Sequence, residues 1–206
     1  MNHLSSLLRP TRLLIAGLLL ASTVSATSIR PPNFEQLVEN SGKVVRATIE
    51  NIRPYEDSYE GERIVRTEVT LNVLESIAGN VAPGELKIRY LGGQVGDLRL
   101  EVGAMPQFKP GSEVVLFLHP HDRFICPTVG WGHGKYQVDR SSVDGVARVR
   151  RSNGDLLQGL DQIAEPIHGG ALQTQSFDPL SQSNGITLAQ FRQLVRQQVE
   201  INRRQE

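Results

Sequence analysis

The chain has 206 residues, with 22 basic and 22 acidic side chains, 39% hydrophobic residues and one cysteine. This composition argues against wholesale disorder, and the balanced charge disfavours a dedicated nucleic-acid binder, which normally carries a basic excess. A single cysteine excludes an intramolecular disulfide framework and a cysteine-rich zinc site.

Residues 1–26 have the layout of a cleaved signal peptide. Arg9 and Arg12 precede an apolar run at 13–21, and small residues occupy the −3 and −1 positions before a cleavage site after Ala26. The run is about nine residues, whereas a membrane span needs roughly 20, so a transmembrane anchor is disfavoured. We therefore expect export to the periplasm or the medium. Without the two arginines the mature chain carries 20 basic and 22 acidic residues, a net charge of −2.

A short helix followed by strands is predicted for the first part of the mature chain. Asn33 caps a helix over 33–40, and Gln36 stands in the capping-box position. Residues 62–75 alternate apolar and polar side chains most clearly, which indicates a half-buried antiparallel strand. Further strands are predicted at 43–50, 85–90, 98–102, 113–118, 136–138 and 146–150, the last two forming a hairpin through the Asp144-Gly145 turn.

The strand signal ends near residue 151. Residues 152–186 are predicted to form an extended linker, which becomes rich in Gln and Ser from residue 173. A C-terminal helix is predicted over 187–204, capped by Thr187. Its apolar stripe indicates a face that docks on the body, with a partner helix or a membrane surface as the alternatives; the stripe comprises Leu188, Phe191, Leu194, Val195 and Val199.

The number and spacing of the strands predict the fold class. A mainly β domain over 27–151, built as a small antiparallel OB-like Greek-key barrel, fits five to seven short strands broken by glycines. A β-sandwich is the alternative. Closure of the sheet would remove exposed strand edges, which a secreted monomer must protect, so a monomer is expected.

Three segments resemble a known group of proteins. They are FEQLVENSGKVVRATI, TEVTLNVLESIAGNV and LGGQVGDLRLEVGAMPQFKPGSEVVLFL, with an echo in ITLAQFRQLVRQQV. Together they are similar to a group of uncharacterised secreted bacterial proteins with an OB-like barrel. The resemblance covers about residues 34–138 and implies a fold and an export route.

The order of elements also resembles, more distantly, the netrin-like domain of tissue inhibitors of metalloproteinases. Those domains likewise run from a short helix to a VV-x-A strand and then to a long alternating strand. The inhibitors chelate the protease zinc through an N-terminal cysteine. The predicted mature N-terminus here is Thr27, whose free α-amine could chelate, but the chain has no cysteine before Cys126 to staple that end by a disulfide.

Histidines supply the candidate metal ligands. His119 and His121 flank a proline, and His133 follows twelve residues later, with Asp122 or Cys126 as a fourth ligand. The sequence FLHPHDRF is typical of a strand exit and turn, which favours solvated loop histidines instead. We therefore predict neither a metal nor any other cofactor. Cys126 itself is expected to be a small buried side chain.

The segment VGWGHG holds the only tryptophan of the chain, Trp131, between glycines. It would either present an aromatic ring for stacking on a ligand or cap one end of the barrel. Trp131 and His133 are accordingly the candidate binding residues, together with Thr27. No serine lies in a nucleophile elbow, and no glycine-rich loop joins a strand to a helix as phosphate binding requires.

Three functions remain open from the sequence. The first is an exported, non-enzymatic binding module that engages a protein partner near Trp131. The second is a secreted protease inhibitor or protease-associated protein, which would depend on Thr27. The third is a metal-dependent enzyme that uses the histidines at 119, 121 and 133. None of the three requires nucleic acid, or a membrane after signal cleavage.

Overall fold

The computed structural model describes residues 30–167 and 185–205 as a mainly β protein with two α-helices. The predicted signal peptide, Thr27 and residues 168–184 of the predicted linker lie outside the described residues. The elements in chain order are α1 (Phe34–Glu39), β1 (Lys43–Tyr59), β2 (Glu62–Ala78), β3 (Gly84–Leu91), β4 (Gly93–Val95), β5 (Leu98–Leu100), β6 (Glu113–Leu118), β7 (Lys135–Asp139), β8 (Arg148–Arg150) and α2 (Leu188–Arg203), with short 3-10 helices at Trp131–Gly134 and Leu160–Ala164.

Six strands form one antiparallel sheet in the order β3-β2-β1-β6-β7-β8, and β4 and β5 form a separate hairpin. Each predicted strand is present. The predicted apolar run at 113–118 is β6, which lies between β1 and β7 and is buried along both faces. The two outer strands of the ladder, β3 and β8, are not paired with each other among the described residues. The protein is therefore mainly β, and the strand pairing among the described residues does not close the six-stranded sheet into the predicted barrel.

The sheet separates two apolar cores. The helix-side core lies against α1 and α2 and includes Phe34, Leu37, Val44, Val115, Phe117, Tyr136, Val149, Leu157, Ile163, Phe191 and Val195. The cavity-side core covers the opposite face and includes Val45, Ala47, Ile49, Val69, Leu71, Val73, Ile88, Tyr90, Val114, Leu116 and Cys126. Successive side chains of a strand point to opposite faces, so adjacent apolar residues in β1 and β6 contribute to both cores.

A β-bulge explains why β1 is longer than the sequence predicts. Ile49 pairs with Leu71 and Asn51 pairs with Thr70, so Glu50 is an extra residue without a partner in β2. The bulge shifts the alternation by one position and brings Ile52 onto the cavity-side face, where Ile49 already lies. Because the period of two is broken at this point, the sequence predicts a strand that ends at residue 50.

The C-terminal helix docks on the body, as the sequence predicts. Phe191 is fully buried, and its ring lies 4.9 Å from that of Tyr136, 6.0 Å from that of Phe117 and 6.3 Å from that of Phe34. The helix is therefore an integral part of the helix-side core. Thr187 caps it and Gln190 completes the capping box.

An ion-pair network supports this docking beside the aromatic cluster. Glu75 of β2 accepts hydrogen bonds from Arg192 and Arg196 of α2 and from Arg46 of β1. Arg46 also donates to Glu113, at 2.7 Å. These side chains are partly exposed, so the network fixes the orientation of α2 more than it adds stability.

The first part of the predicted linker packs on the body. Leu157 and Ile163 are buried in the helix-side core, and the Leu157 amide donates to the carbonyl of Val149 at the edge of β8. Residues 152–167 thus cover a sheet edge that would otherwise be open. The extended linker predicted for 152–186 is corrected over this part, where an apolar stretch that is short and interrupted by Gly159 carries too little signal to be recognised.

Two consecutive glycines place the β4–β5 hairpin across β1 and β2. Gly92 and Gly93 both have positive φ, at 106° and 135°, which side chains rarely adopt. The Gly92 amide donates to the Val65 carbonyl at 2.7 Å, and the Thr67 hydroxyl donates to the Gly92 carbonyl at 2.7 Å. A Cβ on Gly93 would lie 2.6 Å from Thr67 Oγ1. Only glycine permits this turn and this close approach.

We expect Gly93→Ala to destabilise the protein by about 2 kcal/mol or more, because it combines backbone strain with a clash against Thr67. Gly84→Ala is the matched control, since Gly84 also has a strongly positive φ, of 111°, but a Cβ added there would meet no atom within 4 Å. Urea unfolding measures both free energies. Equal losses in the two variants would show that the close approach of Gly93 contributes nothing.

We expect Phe191→Ala to lower the free energy of unfolding by about 3–5 kcal/mol, since it removes the ring at the centre of the aromatic cluster. Arg196→Ala, which removes an exposed member of the Glu75 network, should cost less than about 1 kcal/mol. Chemical unfolding of the two variants compares the contributions. A larger loss for Arg196→Ala would mean that charge, and not apolar packing, holds α2 in place.

Candidate functional site

A cavity of about 680 Å³ opens on the cavity-side face of the sheet. Its walls come from β1 and β2, the end of β3, the β4–β5 hairpin and the loop at 101–108. Buried or half-buried apolar and aromatic side chains form its floor, namely Ile52, Val69, Tyr90, Met105 and Phe108. The rings of Tyr90 and Phe108 lie 5.2 Å apart. The floor can therefore hold an apolar group.

Exposed polar side chains surround the mouth of this cavity. Gln94 comes from β4, Arg99 from β5, and Glu101 and Gln107 from the following loop. Arg99 and Glu101 form an ion pair, which leaves the rim electrically neutral on this side. An apolar floor inside a polar rim is the usual anatomy of a recognition site.

Trp131 lies beside the cavity and not in its wall. It is half-buried and packs against the cavity-side core. Its segment is tied to the loop of the cavity, since the Gly132 amide donates to the Ala104 carbonyl at 3.2 Å. A Cβ on Gly134 would lie 2.3 Å from the Val129 carbonyl, so close backbone packing requires that glycine. The Trp131 segment therefore contacts the loop that lines the cavity, and Trp131 itself does not line the cavity.

His133 is buried on the other side of this segment. Burial, together with the positive charge of Arg151, lowers the pKa of His133 below its ordinary value, and the Ile163 carbonyl partly opposes the shift. Arg151 is itself buried and donates to the carboxylate and carbonyl of Glu165. His133 therefore packs between segments of the body, away from the cavity.

The histidines predicted as candidate metal ligands are not assembled into a site. His119 is half-buried near Arg123, and burial lowers its pKa, whereas His121 is exposed. Within residues 30–167 and 185–205, no three or more His, Cys, Asp or Glu side chains are grouped so as to hold a metal ion. The structure thus does not bring His119, His121 and His133 together.

Cys126 is buried and unpaired, which confirms the prediction made for it. The Thr128 hydroxyl donates to the Trp131 carbonyl at 2.9 Å and lies 3.1 Å from the Cys126 sulfur. Burial raises the pKa of the thiol, so the reactive thiolate form is disfavoured. The cysteine fills space beneath the Trp131 segment.

Lys135 is the unusual residue of this region. Its side chain points to the cavity-side face, because it pairs with Leu116 across β6 and β7, and the residue is only 7% exposed. The Nζ atom lies 5.8 Å from the centre of the Phe108 ring. Among the described residues no carboxylate forms an ion pair with this ammonium. Burial lowers its pKa to about 8.

Sequence reasoning missed both the cavity and Lys135. The lining residues come from three parts of the chain, at 52, 67–69 and 90–108, and nothing in the sequence indicates that these parts meet. Lys135 is the first residue of β7 and directly precedes the strand predicted at 136–138, and nothing in its neighbours along the chain indicates burial. The LGG segment at 91–93 was the available signal, because paired glycines in a β protein indicate a close approach of two backbones.

We expect the wild-type protein to gain stability relative to Lys135→Met as the pH rises from about 8 to 10.5, because the unfolded wild-type chain binds a proton at residue 135 that the folded chain has released. The buried Cys126, Tyr90 and Tyr136 have raised pKa values that act in the opposite direction, but they are common to both proteins and cancel in the difference. The full effect is about 3 kcal/mol. Lys135→Met should be more stable than wild type at pH 7, by a margin that shrinks as the pH rises. Urea unfolding at a series of pH values measures it, with exposed Lys87→Met as the control. Parallel curves for wild type and Lys135→Met would contradict the burial of an unpaired ammonium.

No family model matches the sequence, and no curated protein matches it. Among the helices that the structure describes, none combines the length and apolar character needed to cross a bilayer.

Proposed function

We propose that this chain is exported, loses residues 1–26, and acts as a non-enzymatic binding module whose site is the cavity bounded by the β4–β5 hairpin. The observation that carries the proposal is the floor of that cavity. Ile52, Met105 and Phe108 remain partly accessible there, beside the buried side chains of Val69 and Tyr90. A cavity of about 680 Å³ lies within the size range of ligand sites.

A protein partner suits this cavity best. Its mouth is broad and its rim is polar, so an apolar side chain of a partner would enter while the rim side chains bond to the partner backbone. The proposed binding site is on the face of the sheet that also carries Trp131, although the tryptophan contacts the loop and is not part of the lining. The inhibitor hypothesis depends on Thr27, and the metal-enzyme hypothesis on a histidine group, so neither is carried by the described residues.

The proposal includes a partly open OB-like Greek-key arrangement as the frame of the site. Two observations support it. The strand order β3-β2-β1-β6 returns a fourth strand beside the first after a long connection. The Leu91 amide at the end of β3 donates to the Ile125 carbonyl in the β6–β7 connection at 2.9 Å, so the curled sheet approaches itself there.

N-phenyl-1-naphthylamine, an uncharged apolar dye, tests the cavity directly. We expect its fluorescence to rise on binding the wild-type protein, and Ile52→Trp, which fills the floor, to weaken binding by about tenfold or more. Leu74→Trp is the matched control, because Leu74 is exposed on β2 and does not line the cavity. Dye titration of the three proteins gives the dissociation constants.

The same three proteins, starting at Thr27, serve as baits for capture from the periplasm and medium of the source cells. A partner retained by wild type and Leu74→Trp but lost by Ile52→Trp would support a protein-binding role for the cavity. If Ile52→Trp is folded and alters neither dye binding nor capture, the cavity is not the binding site.

A further inference from the structure

We infer that the partner group bound by the cavity carries a carboxylate, and that the ammonium of Lys135 is its counter-charge. This inference rests on the proposed function and names the chemistry of the ligand at the same site. The group would be an apolar side chain with a carboxylate beside it, so that the apolar part occupies the floor and the anion reaches the lysine.

The unpaired lysine is the first observation behind this inference. Buried charges in proteins are normally paired, because removing an isolated charge from water is costly. Lys135 is 7% exposed, and no carboxylate of residues 30–167 and 185–205 forms an ion pair with it. Lys109, which follows Phe108 in the loop before β6, is exposed to water and needs no partner. A counter-charge supplied by a ligand would offset the cost at Lys135.

The position of Phe108 is the second observation. Phe108 lines the cavity with one part of its side chain, and the Lys135 Nζ lies over its ring at 5.8 Å. Lys135 itself is not part of the lining, so the Phe108 ring is a contact that the ammonium shares with the wall of the cavity. A ring that moves aside would join the two into one site with an apolar floor and a cationic end.

Among the described residues, the backbone of the loop that carries Phe108 is hydrogen-bonded to the body only at the two ends of the loop, while Met105 and Phe108 pack on the cavity-side core through their side chains. Ala104 accepts from the Gly132 amide at 3.2 Å, and the Gly111 amide donates to the Ile49 carbonyl at 2.8 Å. Between these points, the backbone of residues 105–108 makes no hydrogen bond to another described segment. The backbone that carries the Phe108 side chain can thus shift without breaking hydrogen bonds between strands.

The rim does not provide the same charge. Arg99 is the cationic side chain of the cavity mouth, and its guanidinium is already paired with Glu101. An anion at the rim would have to compete with this carboxylate in full contact with water, where ion pairs contribute little. No carboxylate of the described residues forms an ion pair with Lys135, which is only 7% exposed, so an anion there gains more.

Two dyes that share one apolar body test the inference. 1-Anilinonaphthalene-8-sulfonate carries an anionic group, and N-phenyl-1-naphthylamine is the same fluorophore without it. We expect Lys135→Met to weaken binding of the anionic dye by about tenfold or more and to leave binding of the uncharged dye unchanged. Lys135→Arg, which keeps the charge, should retain most of the affinity for the anionic dye. Lys109→Met should alter neither dye.

The outcomes separate the two proposals. Equal affinity of wild type and Lys135→Met for the anionic dye would overturn the role of Lys135, and so would equal weakening of both dyes in that variant. If instead Ile52→Trp leaves both dyes bound as in wild type, the cavity proposal itself fails. Thermal unfolding of Lys135→Met accompanies the titrations, and a melting temperature at or above that of wild type excludes loss of fold as the cause.

Discussion

Burial on both faces of β6 and of the first residues of β1 is the constraint on which the other features depend. Val44 and Phe117 face the helices while Val45 and Leu116 face the opposite side, so apolar residues are adjacent in both strands. Such strands cannot be stable at a water-exposed surface, since each face needs its own cover. One cover consists of α1, α2 and residues 152–167. The other consists of the curled sheet, the β4–β5 hairpin and the loop after it.

The two covers differ in completeness. On the helix side, Phe191 lies at the centre of the core and forms an aromatic cluster with Phe117 and Tyr136. On the other side, the hairpin is set across β1 and β2 by its glycines and stops short of a full cover, which leaves the cavity. A lysine at position 135 lies under the edge of this incomplete cover. The candidate site is thus the part of the sheet that the fold leaves partly open.

The local sequence pattern was sufficient to predict an element wherever its apolar residues recur at a regular interval along the whole element. The alternation of β2, the apolar run of β6 and the capped stripe of α2 were all predicted at nearly their observed bounds. The distal half of β1 was missed because the bulge at Glu50 inverts the phase and Pro54 interrupts the strand signal. The packed part of the predicted linker was missed because its two buried apolar residues show no period.

The sequence by itself determined the element types, the mainly β class and the inward face of α2, because these follow from side-chain spacing within one segment. The tertiary structure decided which side chains share the cavity, since Ile52, Tyr90 and Phe108 are distant along the chain and meet only when the sheet curls. It also separated the histidines and buried Lys135 without an acidic partner from residues 30–167 and 185–205. The burial of a side chain and its ion-pair partners depend on residues from distant parts of the chain. The spacing of residues along one strand therefore cannot predict them.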